Sequence, residues 1–381
     1  MKTYRVAIIG LGGMGIHHAE AIQAIPACEL VGAAEIDSER SRKWQELFGV
    51  NAVFEKYEDM FIELNPDIAI IATQTPLHHP PALAAARRGI HVFCEKPIAL
   101  TLAQADEMVK ICDDNGVKFA INHIKRASPY NQQVLDRIAA GEIGQFIRLR
   151  AFDKGGRKAG NALMEMGTHL YDWIRLFAGD VEWCHAHLTQ LDGRESTVDD
   201  IKLTRQVNPK DRDAGLVLGE RGIASFRFKN GVHGDVEFLA QSKTNDHGYG
   251  IDLIGTEGRI AVRESVGTAM FIHKGQQQTP DEPWERVNLP EEDIDEEGNV
   301  RDKPGRRFLL QKRMMNDLLE AIEEDRDPYA SGRHGRNCLE MIHLTWESHR
   351  RKKRINAPLQ RRDHPLERWK YATPSTSPVH T

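Results

Sequence analysis

The chain has 381 residues, 40% of them apolar and 28% charged, a length that predicts two or three domains and a composition that excludes collagenous, mucin-like and wholly disordered chains. Its 51 basic and 56 acidic residues leave a formal charge of −5, without the cationic excess that binds nucleic acid or an anionic membrane. The five cysteines, Cys28, Cys94, Cys112, Cys184 and Cys338, are odd in number, scattered and never spaced Cys-x-x-Cys, which argues against a disulfide framework or a structural zinc site and predicts a reducing, cytoplasmic setting.

Lys2 and Arg5 precede the apolar run Val6–Ile9, as in a secretion signal, but the run breaks into Gly10, Gly12, Gly13 and Gly15 with no small-residue cleavage site, so it reads as mature structure. No stretch approaches the roughly 20 apolar residues of a membrane span. Strands are predicted at Arg5–Ile9, Leu30–Ala34, Ile68–Ala72, His91–Phe93 and Lys118–Ile121, with helices near Gly13–Ile25, Ser38–Phe48, His78–Arg88 and Leu102–Asn115. That alternation predicts a doubly wound parallel sheet. Pro26, Gly49, Gly89 and Gly116 stand where helices should stop, and Thr101 with Gln104 forms a capping-box start. Beyond residue 122 the pattern changes to a helix from Ser128-Pro129 to Ala140, a strand at Phe146–Phe152 and a helix at Leu163–Phe177. From Val181 to Phe271 apolar and polar residues alternate, which predicts an antiparallel sheet. Gln276–Pro304 reads as an exposed acidic excursion, Phe308–Glu324 and Arg333–Lys353 as helices, and Gln360–Thr381 as an arm or disordered tail. The predicted organisation is a parallel α/β domain over residues 1–122, an α+β domain over 123–359 and an arm or tail over 360–381.

Four groups of residues have chemical meaning. Gly10-Leu-Gly12-Gly13-Met14-Gly15 follows a predicted strand and opens a predicted helix. Its first glycine allows a tight turn, its second the approach of a pyrophosphate, and its third close helix–strand packing. Glu35, about 20 residues on, ends the next strand, where a carboxylate accepts ribose hydroxyls and repels a 2′-phosphate, so NAD is favoured over NADP; Arg40, Arg42 and Lys43 keep NADP open. A glycine turn can also be purely structural. Thr73-Gln-Thr-Pro76-Leu-His78 lies at the end of a later strand, either as a wall of the cofactor site or as a simple turn. Cys94-Glu95-Lys96-Pro97 follows the strand His91–Phe93. There Lys96 can hold a substrate hydroxyl and stabilise an alkoxide, or it can pair with Glu95 at the surface. In Glu165-Met-Gly167-Thr-His169-Leu-Tyr-Asp172, a continuous helix would put Glu165, His169 and Asp172 on one face, an acid/base stripe or ordinary polar pairing. Gly167 within that helix suggests that another group passes close by. No further ligand cluster supports a metal site, and none is predicted.

In this order, the glycine motif with His18-Ala19, the run His91-Val92-Phe93-Cys94-Glu95-Lys96-Pro97 and the acidic-x-Gly-x-His-x-x-Asp segment resemble the Gfo/Idh/MocA family, the glucose–fructose oxidoreductase and inositol dehydrogenase group. Thr73 and His78, Arg126 with Pro129, Gly141-Glu142-Ile143-Gly144, Gly255-Thr256-Glu257-Gly258 and the stretch from Ser348 to Pro358-Leu359 extend the resemblance over nearly the whole chain. It implies an NAD(P)-binding Rossmann domain over residues 1–122 and a substrate-binding and oligomerisation domain over 123–359 with an open, mainly antiparallel sheet. With these come oxidation or reduction of a sugar, polyol or related substrate with a nicotinamide cofactor, and a homodimer or homotetramer formed through that sheet. It also implies that Lys96 binds the reacting hydroxyl, His169 moves its proton, Glu95, Thr73 and His78 support the cofactor, and the Lys96–Pro97 bond is cis. Arg126 and Asp172 are expected to reach substrate, and Arg157, in a loop with Lys154 and Lys158, to close over it. Glu165 replaces the family's usual Asp, and its longer arm can orient His169 instead of clamping substrate; Gln74 replaces a customary proline. Two alternatives remain: a glycoside hydrolase that works by transient oxidation, elimination and return of hydride, and a non-catalytic sugar or nucleotide sensor.

Overall fold

Apolar runs joined by helices with one apolar face bury both sides of a parallel sheet, and the start of the chain folds in this way. The computed structural model describes residues 2–153, 160–207, 213–239, 249–264, 269–275, 283–287 and 303–372. In chain order it forms β1 (Tyr4–Ile9), α1 (Gly13–Gln23), β2 (Cys28–Ala34), α2 (Ser38–Phe48), β3 (Val53–Phe54), α3 (Tyr57–Leu64), β4 (Ile68–Ile71), α4 (His79–Ala86), β5 (His91–Cys94), α5 (Leu102–Asp114) and β6 (Phe119–Ile121). The strands run in the order β3-β2-β1-β4-β5-β6, all parallel. The winding reverses between β1 and β4, so the crevice beyond their C-terminal ends is where such a sheet takes a ligand. The expected Thr101–Gln104 capping box is present at the start of α5. β3 and α3 escaped the periodicity reading: two residues make no pattern, and eight span barely two helical turns.

The rest of the chain adds α6 (Pro129–Ala139), β7 (Phe146–Asp153), α7 (Asn161–Glu165), α8 (Gly167–Ala178), β8 (Val181–Thr189), β9 (Lys202–Leu203), α9 (Thr204–Val207), β10 (Leu216–Val217), β11 (Arg221–Phe228), β12 (His233–Leu239), β13 (Gly250–Gly255), β14 (Gly258–Arg263), β15 (Ala269–Lys274), β16 (Glu285–Val287), α10 (Lys303–Glu323), α11 (Gly332–Arg351), β17 (Ile355–Asn356) and α12 (Pro365–Lys370). A nine-stranded sheet has the order β16-β15-β14-β13-β7-β12-β11-β8-β17. Only its β7–β12 pairing is parallel; the others are antiparallel. Alternate residues of β8, β11 and β12 are buried, packed with α8 and α11 in one core. The opposite face carries the ion pairs Arg148–Asp235, Arg150–Glu237 and Arg263–Asp252. Most of the predicted acidic excursion lies outside the described residues, but its β16 pairs with β15.

One predicted helix is two. The expected helix over Leu163–Phe177 breaks at Met166, between α7 and α8. A Cβ on Gly167 would lie 3.0 Å from Phe238 Cζ and 3.1 Å from the Ala162 carbonyl oxygen, so the glycine marks where a ring from β12 presses on the backbone. The sequence anticipated a close neighbour there but not the break that comes with it.

Two late segments tie the domains together. α10 crosses back so that Met314, Met315, Leu318 and Leu319 pack with Val6, Ile8, Ala19 and Ile22. Of the predicted tail, residues 360–372 are described, and they dock. Arg362 bonds Asp106 of α5 at 2.6 and 2.7 Å and Glu340 of α11 at 2.8 Å, while Arg368 reaches Glu347 at 2.8 Å. Leu366 is fully buried. The substitution Leu366→Ala should therefore destabilise the chain by about 2–4 kcal/mol, seen as a lower midpoint of chemical denaturation. An unchanged midpoint would show that the arm is not part of the core.

Candidate active site

The first turn of α1 is open to an anion. Gly12 caps the helix without a side-chain hydrogen bond, and no acidic residue occupies the first turn, so the backbone N–H groups of Gly13, Met14 and Gly15 present the positive end of the helix. Each glycine of the motif has its own constraint. Gly10 has φ +91, and a Cβ there would meet the Thr73 amide at 3.0 Å; a Cβ on Gly15 would lie 2.1 Å from the Gly10 carbonyl oxygen. A Cβ on Gly12 would meet no heavy atom within 4 Å, so the space above the loop is free for a phosphate. Glu35 closes the loop from the side, its carboxylate accepting from the Leu11 N–H at 2.8 Å and the Asp37 N–H at 3.1 Å, with Arg40 at 4.0 Å. Ile36 (83% exposed) and Leu77 (52% exposed) follow the strands on either side of β1. Neither was singled out in the sequence, although large exposed apolar side chains beside a glycine loop suit the flat face of a purine. These residues fit a dinucleotide.

At the end of β5, Glu95 is 1% and Lys96 8% exposed, which removes the alternative of a surface ion pair. Glu95 Oε1 lies 2.9 Å from His18 Nε2 and accepts from Asn122 Nδ2 at 2.7 Å, so it braces α1 and β6 rather than lying open to a ribose. The Lys96–Pro97 bond is cis. His78 is buried, its ring nitrogens 2.9 Å from the Pro97 carbonyl and 3.2 Å from the Thr73 carbonyl. It joins the two loops from behind and does not face a cofactor as expected. Burial holds its proton affinity below the ordinary imidazole range, against the pull of those carbonyls. Thr73, next to Gly10, keeps a buried Oγ1 without a hydrogen-bond partner.

Lys96 joins the two domains. Its Nζ donates to the Glu165 carbonyl oxygen at 2.8 Å and lies 4.0 Å from Glu165 Oε1. α7 ends at Glu165, where the last carbonyls of a helix lack partners, and α8 begins at Gly167, so that His169 lies in its first turn. The Nδ1 of His169 is buried with no hydrogen-bond partner. Burial first, then the charges of Lys96, His123 and Lys125, push its proton affinity well below the ordinary range, with Glu95 opposing. His169 is therefore neutral at neutral pH.

The expected stripe of Glu165, His169 and Asp172 does not form. The break at Met166 separates Glu165 from the helix that carries the other two, and Asp172, 0% exposed, points to Arg126 and His123. Arg126 Nε contacts both Asp172 oxygens, at 2.9 and 3.0 Å. Asp172 and Arg126 are thus spent on each other and are not substrate ligands: a buried carboxylate needs a cation more than a substrate does. Arg157, Lys154 and Lys158 lie outside the described residues. Among the described residues, His187, Glu195 and His349 have ligand atoms within 4.8 Å of one another. His349 nevertheless has no lone pair for a metal, since Nδ1 accepts from the Leu188 N–H at 3.1 Å and Nε2 lies 2.8 Å from the Ser196 carbonyl.

The N-terminal model of the Gfo/Idh/MocA group, described as an oxidoreductase family with an NAD-binding Rossmann fold, matches residues 4–123, and its C-terminal alpha/beta domain matches residues 132–357. The chain belongs to the Gfo/Idh/MocA family. It is 27% identical over 280 residues to scyllo-inositol 2-dehydrogenase (NAD(+)) of Bacillus subtilis, covering 71% of this chain and 75% of that protein. It is 26% identical over 267 residues to myo-inositol 2-dehydrogenase of Thermotoga maritima, covering 67% and 74%. In fold it is similar to levoglucosan dehydrogenase in complex with NADH and levoglucosan, with a TM-score of 0.78 at 20% identity, covering 94% of this chain and 100% of the other.

This Gfo/Idh/MocA member is thus an NAD-dependent oxidoreductase with an NAD-binding Rossmann fold. No helix among the described residues is long and apolar enough to cross a membrane. Residues the sequence reading missed are Asn122 and His123; His18 was quoted only as part of the resemblance, without its bond to Glu95. Asn122 and His123 follow the end of β6 and His18 lies within α1, and the meaning of each comes from partners distant in the chain. The glycine geometry separates two effects. Gly12→Ala should keep the fold and its melting temperature but weaken NAD binding at least tenfold, measured by calorimetric titration. Gly15→Ala should lower the melting temperature itself. Equal NAD affinity in folded Gly12→Ala would rule out the loop as the phosphate site.

Proposed function

We propose that the chain is a dehydrogenase of a sugar, polyol or sugar derivative, with Lys96 and His169 acting on the same substrate oxygen. What supports this above all is the contact between Lys96 and the end of α7, which brings an ammonium from the first domain to the helix junction that carries an uncharged imidazole. The substrate class follows the family and its relatives, two of which are inositol dehydrogenases by name. A substrate rich in hydroxyls also suits a site of buried polar groups, which reject a ligand lacking the matching oxygen.

His169, neutral and short of a hydrogen bond, accepts the proton of the reacting hydroxyl. Lys96 stabilises the negative charge that develops on that oxygen, the more effectively because it is largely shielded from water. NAD, when bound, supplies the acceptor for the hydride. Gly12, Gly13, Met14 and Gly15 hold its phosphates by backbone N–H groups, and Glu35 takes the adenine ribose, which disfavours a 2′-phosphate at that point. Glu165 positions Lys96 through its backbone and can turn its side chain to the substrate. Glu95 holds the base of Lys96 in place from behind.

The outward face of the nine-stranded sheet, with its Arg–Asp and Arg–Glu pairs, offers each sign of charge to a second copy. We assign it as the surface through which a homodimer or homotetramer forms.

Substitution Lys96→Ala should lower kcat/KM for the alcohol about 10²–10³-fold, with NAD affinity changed no more than a few-fold. Stopped-flow NADH fluorescence over a panel of sugars, polyols, glycosides and keto-sugars measures the first, and calorimetry the second. Equal loss of both would contradict the role of Lys96. Glycoside cleavage without net NADH would indicate the redox-neutral route, and a panel with no response a sensor.

A further inference from the structure

The imidazole nearest the proposed base has not been given a role. His123 opens the short turn after β6 and is buried, its ring centroid 6.0 Å from that of His169. Its Nε2 lies 3.1 Å from Thr168 Oγ1 and its Nδ1 3.4 Å from Asp172 Oδ1. Thr168 Oγ1 lies 3.4 Å from Cys338 Sγ, and Cys338 donates to the Thr168 carbonyl at 3.0 Å. With the Thr168 hydroxyl turned to the Cys338 sulfur, His123 Nε2–H points at the Thr168 oxygen, while Nδ1 faces the buried Asp172 carboxylate as an ion pair without hydrogen-bond geometry, an arrangement that favours a proton on both ring nitrogens. A neutral His123 would turn a lone pair either to the buried carboxylate or to the threonine.

We propose that His123 is a positioning residue for the hydride step: a buried imidazolium, kept charged by Asp172, that keeps His169 in its neutral, proton-accepting form. This rests on the base role assigned above to His169. Burial and the Lys96 charge come first in holding His169 neutral, and His123 adds to them ahead of Lys125, with Glu95 opposing; Lys125 and Lys96 each lie against a carboxylate, Glu264 and Glu165, whereas His123 shares its carboxylate with Arg126. Around His123 stand Lys125 and Arg126 of its own turn, Asp172 of α8, and Cys338 and His334 of α11. Asp172 answers two cations, Arg126 and His123, so this cluster keeps one positive charge directed at His169. Burial works against the charge on His123, but Asp172 outweighs it and pushes the imidazole up to about 9. The sign follows: below that pH His123 is charged and repels a proton on His169, and the repulsion is lost as pH rises through that value.

Nuclear magnetic resonance of the full chain labelled at its histidines tests this without relying on turnover. In the unsubstituted protein at pH 7, His123 should be doubly protonated while His169 is neutral; a neutral His123 would overturn the proposal even if every variant failed to fold. In His123→Gln, which keeps a donor for Thr168 but removes the charge, the His169 midpoint should rise by about one pH unit or more. The acid limb of kcat/KM should rise with it. Thr168→Val, which breaks the hydrogen bond but keeps both rings, should leave the midpoint in place. No shift in folded His123→Gln, or an equal shift in Thr168→Val, would contradict the role. If the resonance shift appears but no alcohol in the panel is oxidised, the electrostatic assignment stands and the dehydrogenase reading falls.

Discussion

An ammonium withdrawn from water must find compensation or lose its proton, and in this chain Lys96 finds it across a domain boundary. Its partner is the backbone oxygen at the end of α7, a position where helices leave carbonyls unsatisfied. That contact sets where β5 may end, where α7 must stop, and how closely the second domain sits over the crevice of the first. The surroundings fit the same demand. Glu95 is braced by His18 and Asn122, so the backbone that carries Lys96 is held from α1 and β6. His78 links the loops after β4 and β5. α10 packs into a core with β1 and α1, and Leu366 of the docked arm into the larger core that both domains share.

Charge is layered around the candidate site. Nearest the crevice are Lys96 and Glu165; behind His169 lie His123 and Asp172; outermost is Arg126, whose guanidinium also reaches the Tyr329 carbonyl at 3.3 Å. Each of these charges touches one of opposite sign, as low-dielectric surroundings require, with Asp172 shared by His123 and Arg126. The imidazole proposed as base keeps a buried Nδ1 without a hydrogen-bond partner, as do Thr73 Oγ1 and His123 Nδ1 nearby, and such a group calls for an explanation, which a substrate hydroxyl at His169 would supply. The cofactor side has the same character: Gly12 faces empty space, whereas Gly10 and Gly15 are fixed by contacts.

Much of the first domain was legible from periodicity, because a parallel sheet needs apolar runs and the helices between them need caps, both of which are local. Gly10, Gly12 and Gly15, with Glu35 after β2, were legible for a similar reason: they fall at set places within one strand–helix–strand unit, although Gly10 is also confined by Thr73 after β4. The catalytic half was less so. Gly167 announced a close neighbour, but that neighbour is Phe238, far along the chain, and only its position explains why the helix breaks. Arg126 and Asp172 looked like substrate ligands because charged residues beside a histidine suggest chemistry. In space they neutralise each other. His123 carried no signal, since its significance comes from Asp172 and Thr168 arriving on another element.

The convergence of Lys96 and His169 on one oxygen is the central claim, and a double-mutant cycle in kcat tests it most directly. Groups that act as a unit lose their effect together, so Lys96→Ala combined with His169→Asn should be no slower, within a few-fold, than the slower single variant. Losses that multiply would mean that the two side chains serve separate steps or separate places, and would contradict the account.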